Sequence, residues 1–173
     1  MEDYNFYDHL HNYAVWTASR AVQRKFTTTK NIKSAIEATD LKEFSKNPKS
    51  MTAEQYDDFH KISSNLIIEN LDKLGIKASY GQAAKIIAIY FKTSLVIRDS
   101  GQSQISKIIH PPIDNILLTN LNRIYPFLRL KGIRWTQLSE DKYFSLIDRL
   151  RTLNQDTFWK LEKYWQPDRT SIQ

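Results

Sequence analysis

The most restrictive feature of the chain is an eighteen-residue stretch, residues 81–98, that carries QAAKIIAIYFKTSLVI between a glycine and an arginine. It holds too few polar residues to form a solvated face, so whatever it becomes must be enclosed by the rest of the chain. A buried strand of this composition is conceivable, but the length and the Ala83-Ala84 pair select helix. A central apolar helix needs amphipathic neighbours around it, and the remaining sequence supplies them.

Residues 4–25 predict a first long helix, with Leu10, Ala14, Thr17, Ala18, Ala21 and Val22 at helical spacing and Trp16 read as core. Thr27, Thr28 and Thr29 break it and cap a short helix ending near Ala38. Asp40 starts another turn, and residues 45–50 form a loop. Thr52 and Gln55 have the spacing of a capping box. The helix they open runs to about Leu74, with Phe59, Ile62, Leu66, Ile67 and Leu71 on its inner face, and Gly75 is its natural stop. Residues 99–107 read as a polar loop. His110-Pro111-Pro112-Ile113-Asp114 opens the next helix, with proline in the first turn, where its missing N–H costs nothing. Residues 127–136 read as an irregular basic stretch, and 139–153 and 156–165 as the last two helices. The tail 167–173 is expected to fray. With only 4 Gly and 5 Pro in 173 residues, and no hairpin pattern, the fold class is an all-α, single-domain orthogonal bundle of about seven helices over residues 1–173.

Composition removes several chemistries. There is no cysteine, which excludes disulfides, thiolate zinc sites, iron–sulfur clusters and a cysteine nucleophile. His9 and His11 point about 200° apart on a helix and cannot share a metal ion; His60 reads as a satisfied side chain in a helix interface. No metal or other cofactor is expected. The opening residues are acidic and aromatic, unlike a signal peptide, and the longest apolar run, residues 86–91, is far too short to span a bilayer. No membrane partner is expected, and the expected location is the cytoplasm.

Charge is distributed unevenly. Residues 1–76 carry ten Lys+Arg against eleven Asp+Glu, net −1; residues 77–173 carry fifteen against eight, net +7. Arg123, Arg129, Lys131 and Arg134 lie in a span, residues 115–139, with no acid at all. A one-sided cationic surface draws phosphate backbones by releasing their counterions, so nucleic acid is the expected partner. Trp135, among these cations, has the setting of a side chain that stacks on an unpaired base.

One constellation joins charge to possible chemistry. Tyr80-Gly81-Gln82-Ala83-Ala84-Lys85 enters the apolar helix, and Pro112-Ile113-Asp114 opens a later one that reaches Arg123 and Tyr125. Glycine before a helix lets backbone N–H groups approach a phosphate, and a carboxylate at a neighbouring helix start can stabilise positive charge on a sugar or activate water. The arrangement resembles the helix-hairpin-helix DNA glycosylases over residues 74–125. That resemblance implies DNA as the partner, Gly81 and Gln82 as the phosphate-binding backbone, and Asp114 as the catalytic aspartate of a hydrolase acting on an N-glycosidic bond. Ala83 stands where bifunctional members carry their lysine, which implies hydrolysis without β-elimination. Lys85, Arg123, Arg129, Lys131 and Arg134 would supply electrostatic contact. The residues taken by themselves leave two other readings: Asp114 as a plain helix cap, and the whole chain as a non-catalytic protein–protein interaction module that binds a partner, or itself, through the aromatic C-terminal helix bearing Phe158, Leu161 and Trp165.

Overall fold

A computed structural model describes residues 4–22, 25–153 and 156–167. Among them are seven α-helices and no strand: α1 Phe6–Ala21, α2 Thr29–Glu37, α3 Leu41–Lys46, α4 Ala53–Lys73, α5 Tyr80–Phe91, α6 Asn115–Ile124 and α7 Glu140–Arg151. Three 3-10 segments accompany them, Pro126–Leu128, Trp135–Gln137 and Phe158–Tyr164, and α5 runs on into a π-helical turn, Lys92–Val96. The all-α class holds. Residues 168–173, most of the tail expected to fray, lie outside the described residues.

Helix α5 occupies the centre. Every residue from Tyr80 to Phe91 except Ile89 is buried, and α5 contacts α1, α4, α7 and the 3-10 turn at Trp135–Gln137. Two hydrophobic clusters meet along it. One gathers Ala14 and Ala18 of α1, Ile32 and Ile36 of α2, Tyr56, Ile67 and Leu71 of α4, and Ile86, Ile87, Tyr90 and Phe91. The other gathers Leu117, Leu118 and Leu121 of α6, Leu146, Ile147 and Leu150 of α7, and Phe158 and Leu161, against Tyr80 and Ala84. Burial of this many large apolar side chains, roughly 1.5–3 kcal/mol each, is the main source of stability.

Local signals place the ends of the helices. Thr52 and Gln55 form the capping box of α4, and a second box, Ser79 with Gln82, opens α5. At the end of α4 the Ile76 N–H bonds to the Leu71 carbonyl and the Gly75 N–H to that of Asp72, with Gly75 at φ +76°. This is the double-bonded glycine stop that a left-handed residue permits.

Four expectations need correction. Trp16 is 48% exposed, not core; its ring stacks on Tyr13 and lies under Arg20. Ile62 and Leu66 are exposed, because α4 turns Tyr56, His60, Ser63, Ser64, Ile67 and Leu71 inward instead. His60 and Ser64 on that face are polar yet hydrogen-bond inside, His60 Nδ1 with the Tyr80 hydroxyl and Ser64 Oγ with His60, so apolar spacing alone misplaces it. The two prolines precede α6 rather than entering it: Asp114 is its N-cap. Finally, the C-terminal aromatic segment is 3-10 rather than α-helical.

Candidate nucleic-acid interface

The residues nominated from the sequence separate into an inner and an outer group. Gly81 lies in the first turn of α5, and its N–H donates to the Leu138 carbonyl at 3.1 Å. A Cβ at this position would stand 1.9 Å from the Trp135 carbonyl oxygen, so only glycine admits the chain that crosses here. The Gln82 N–H donates to Ser79 Oγ, and Gln82 Oε1 accepts from the Ser79 N–H. Both backbone donors nominated for a phosphate are therefore engaged within the protein.

Lys85 is 4% exposed and donates to Asp114 Oδ2 at 2.9 Å, with its ammonium 5.7 Å from the centre of the Trp135 ring. Burial lowers its pKa, against the opposing pull of Asp114. Trp135 is itself buried, at 8% exposure. Asp114 accepts three hydrogen bonds: Oδ1 from the Leu117 N–H at 2.9 Å, and Oδ2 from Lys85 and from Trp165 Nε1 at 2.8 Å. It is thus a helix cap, an ion-pair partner and the anchor of an indole at once.

The outer group is Arg123, Arg129, Lys131 and Arg134, all exposed. Among the described residues none of the four side chains forms an ion pair or hydrogen bond. Arg123, Lys131 and Arg134 line one groove of about 600 Å³ with Asn115, Thr119 and Asn122, and no carboxylate lines it. A neighbouring hollow of about 510 Å³ shares Asn115, Thr119 and Arg123 and extends to Asn120 and Gln166. Arg129 sits outside the groove, at the left-handed residue (φ +52°) that starts its far wall.

That wall, residues 129–134, has little regular structure but is firmly held. Asn122 Oδ1 accepts the N–H groups of Leu130 at 3.0 Å and Lys131 at 3.1 Å. The Arg149 guanidinium donates to the carbonyls of Leu128 and Arg129, each at 3.1 Å. The following turn is keyed into Gly81. The backbone positions from which these cations project are therefore set by the fold.

A second polar constellation, which sequence spacing did not reveal, lies in the interior. His110 is fully buried; its Nε2 faces Asp57 Oδ1 at 2.9 Å and its Nδ1 faces the Tyr143 hydroxyl at 3.0 Å. A carboxylate only accepts, so Nε2 carries the proton and Nδ1 accepts from Tyr143. Arg151 holds both oxygens of Asp57. Burial pushes the Asp57 carboxyl up, but the His110 and Arg151 hydrogen bonds and charges outweigh it and keep its pKa well below the usual range. His60 stacks on Tyr143, ring centres 5.2 Å apart, with Nδ1 at 3.0 Å from the Tyr80 hydroxyl, while Nε2 has no partner among the described residues. Burial depresses both histidines. These residues stand at positions 57, 110, 143 and 151, with no short-range pattern to unite them. Among the described residues no group of three or more His, Asp or Glu side chains is placed to hold a metal ion, and no helix is long and apolar enough to cross a membrane.

Comparison with family models, with curated proteins and with solved structures finds no match.

Proposed function

We propose that the protein binds nucleic acid by its sugar–phosphate backbone, in the groove between α6 and residues 129–134. The observation that carries this reading is the placement of Arg123, Lys131 and Arg134 on one groove with no carboxylate and no competing ion pair among the described residues. Three unpaired cations on a firmly held frame suit a ligand with regularly spaced negative charge. Asn115 and Thr119 add neutral hydrogen-bonding groups of the kind that position phosphates without reading sequence.

Base removal at Asp114 is not included. Its oxygens already accept from Leu117, Lys85 and Trp165, and the nearby Gly81 N–H is spent on Leu138; these structural roles weigh against a glycosylase-like site. Presentation of the C-terminal aromatics to a protein partner has less support, because of Phe158, Leu161 and Trp165 the first two are buried in the second cluster and Trp165 alone is exposed, at 38%.

The test is fluorescence anisotropy with single- and double-stranded DNA across a salt series. Affinity is expected to fall steeply with salt. The triple variant Arg123→Ala, Lys131→Ala, Arg134→Ala should make the log–log salt slope shallower by roughly 2–3, at about 0.9 per phosphate contact on duplex and 0.7 on single strands. Absence of salt-dependent binding to either form overturns the proposal. Base release by the unaltered protein that is lost in Asp114→Asn would restore the catalytic reading.

A further inference from the structure

A different cleft, of about 530 Å³, opens between the π-helical turn after α5 and the C-terminal 3-10 segment, within the usual size range of small-ligand sites. We propose that it binds a small molecule with a flat aromatic ring and an attached acidic group. The inference does not depend on nucleic-acid binding, since it uses other residues.

The cleft is built rather than incidental. Its apolar floor comes from Ala88, Val96, Ile109 and Pro112, and two indoles, Trp159 and Trp165, contribute to its walls. Each indole is held by a specific device. Trp165 Nε1 donates to Asp114 Oδ2 at 2.8 Å. Trp159 lies against Gly101, where a Cβ would come within 2.4 Å of its Cζ2 atom; glycine at φ +70° is what lets the indole lie there. The Trp159 Nε1–H is buried and has no partner among the described residues. The π turn closes with the Ile97 N–H on the Lys92 carbonyl at 2.8 Å, and both Lys92 and Val96 of this turn line the cleft. Such turns widen a helix locally and recur at functional sites.

Charge at the cleft selects the acidic group. Lys92, Lys160 and Lys163 line it against a single carboxylate, Glu162. Glu162 is taken by Lys92, whose ammonium also stands 5.6 Å from the centre of the Trp165 ring. Lys160 has only the largely exposed Asp156, a weak tie. Lys163 has no ion pair among the described residues and stands 4.9 Å from the centre of the Tyr164 ring. A flat ring against these indoles gains stacking and apolar burial, and its acidic group meets the cations that Glu162 leaves uncompensated. A free aromatic acid and a mononucleotide share this chemistry, and the two are separated by experiment.

The test titrates the whole protein with 2-naphthoate, with adenosine 5′-monophosphate and with neutral 2-naphthalenemethanol, following the indole N–H signals of Trp159 and Trp165 by NMR. Saturable shifts of both signals are expected with at least one of the anions, and that anion identifies the source. Lys163→Glu, a change at an exposed side chain, should weaken the anion roughly tenfold or more and leave the alcohol unchanged. Trp165→Ala should weaken all binding. No saturable shift up to about 5 mM of either anion, or equal affinity for naphthoate and the alcohol with no effect of Lys163→Glu, overturns the proposal.

Discussion

Arg151 donates two hydrogen bonds of 2.7 Å to the two carboxylate oxygens of Asp57, and so ties α7 to α4 across 94 positions of sequence. Asp57 also receives the His110 N–H, so one carboxylate serves two donors from two distant segments. Asp57→Ala would strand a guanidinium and a buried imidazole. The expected loss is about 2–4 kcal/mol by urea denaturation, somewhat below the fully buried case because Arg151 is 29% exposed. A loss under about 0.5 kcal/mol would show the contact to be incidental.

Two fully buried histidines with depressed pKa make the fold sensitive to mild acid. His60 and His110 face Asp57, Arg151, Tyr56, Tyr80 and Tyr143, and burial favours their neutral forms. The unfolded chain takes up protons near the ordinary value of 6.5 while the folded chain resists. Stability is therefore fully present above pH 6.5 and is lost as the pH falls below it toward the lowered folded values, by at most about 1.4 kcal/mol per unit and per histidine. Tm should drop between pH 7.5 and 5, and His60→Phe should flatten that slope. An unchanged slope in the variant would remove His60 from the account.

Gly81 and Gly75 are needed for different reasons, and alanine separates them. At Gly81 the added Cβ meets backbone, the Trp135 carbonyl, which cannot swing aside; about 2–3 kcal/mol is expected. At Gly75 the space is open but φ is +76°, so the cost is only that of the left-handed backbone, about 1 kcal/mol. Equal costs in chemical denaturation would contradict the steric argument.

Lys85 and Asp114 form a thermodynamic pair. Asp114→Ala removes an N-cap, about 1 kcal/mol, and leaves a buried ammonium, for a total of about 3–4 kcal/mol. Lys85→Met combined with Asp114→Asn should recover much of this, because no uncompensated charge remains and the Oδ1 cap is kept. A double variant as unstable as Asp114→Ala would mean that the ion pair is not the source of the cost.

What could be read from sequence follows the range of the forces involved. The burial of α5 was legible because eighteen apolar-rich residues leave no other option, and the Thr52 box and the Gly75 stop were legible because both are contained within a few residues. The four exposed cations were visible from the acid-free span they occupy. Gly81 and Lys85 stand out at the entrance of α5 and Trp135 among the cations, each as a ligand contact; that Trp135 packs on both of the others depends on a loop more than fifty residues downstream folding back over α5, which no local pattern reports. The inward face of α4 was misplaced because Ser63, Ser64 and His60 are polar and still point inside. Asp57, His110, Tyr143 and Arg151 are joined only by tertiary geometry, and no spacing rule connects them.

The close crossing of the Trp135 carbonyl over Gly81 has a consequence for recognition. Arg134 immediately precedes the crossing, while Arg123 belongs to a helix, so neither is carried on a loose basic tail. If a polyanion settles in the groove as proposed, the backbone positions of these cations have already been fixed in folding, and the remaining cost falls on their exposed side chains and on the ligand. Under the proposed function, a frame fixed at the backbone limits the distance its two arginines can span, so ligands would be ranked by the pitch of their charges as well as by their number.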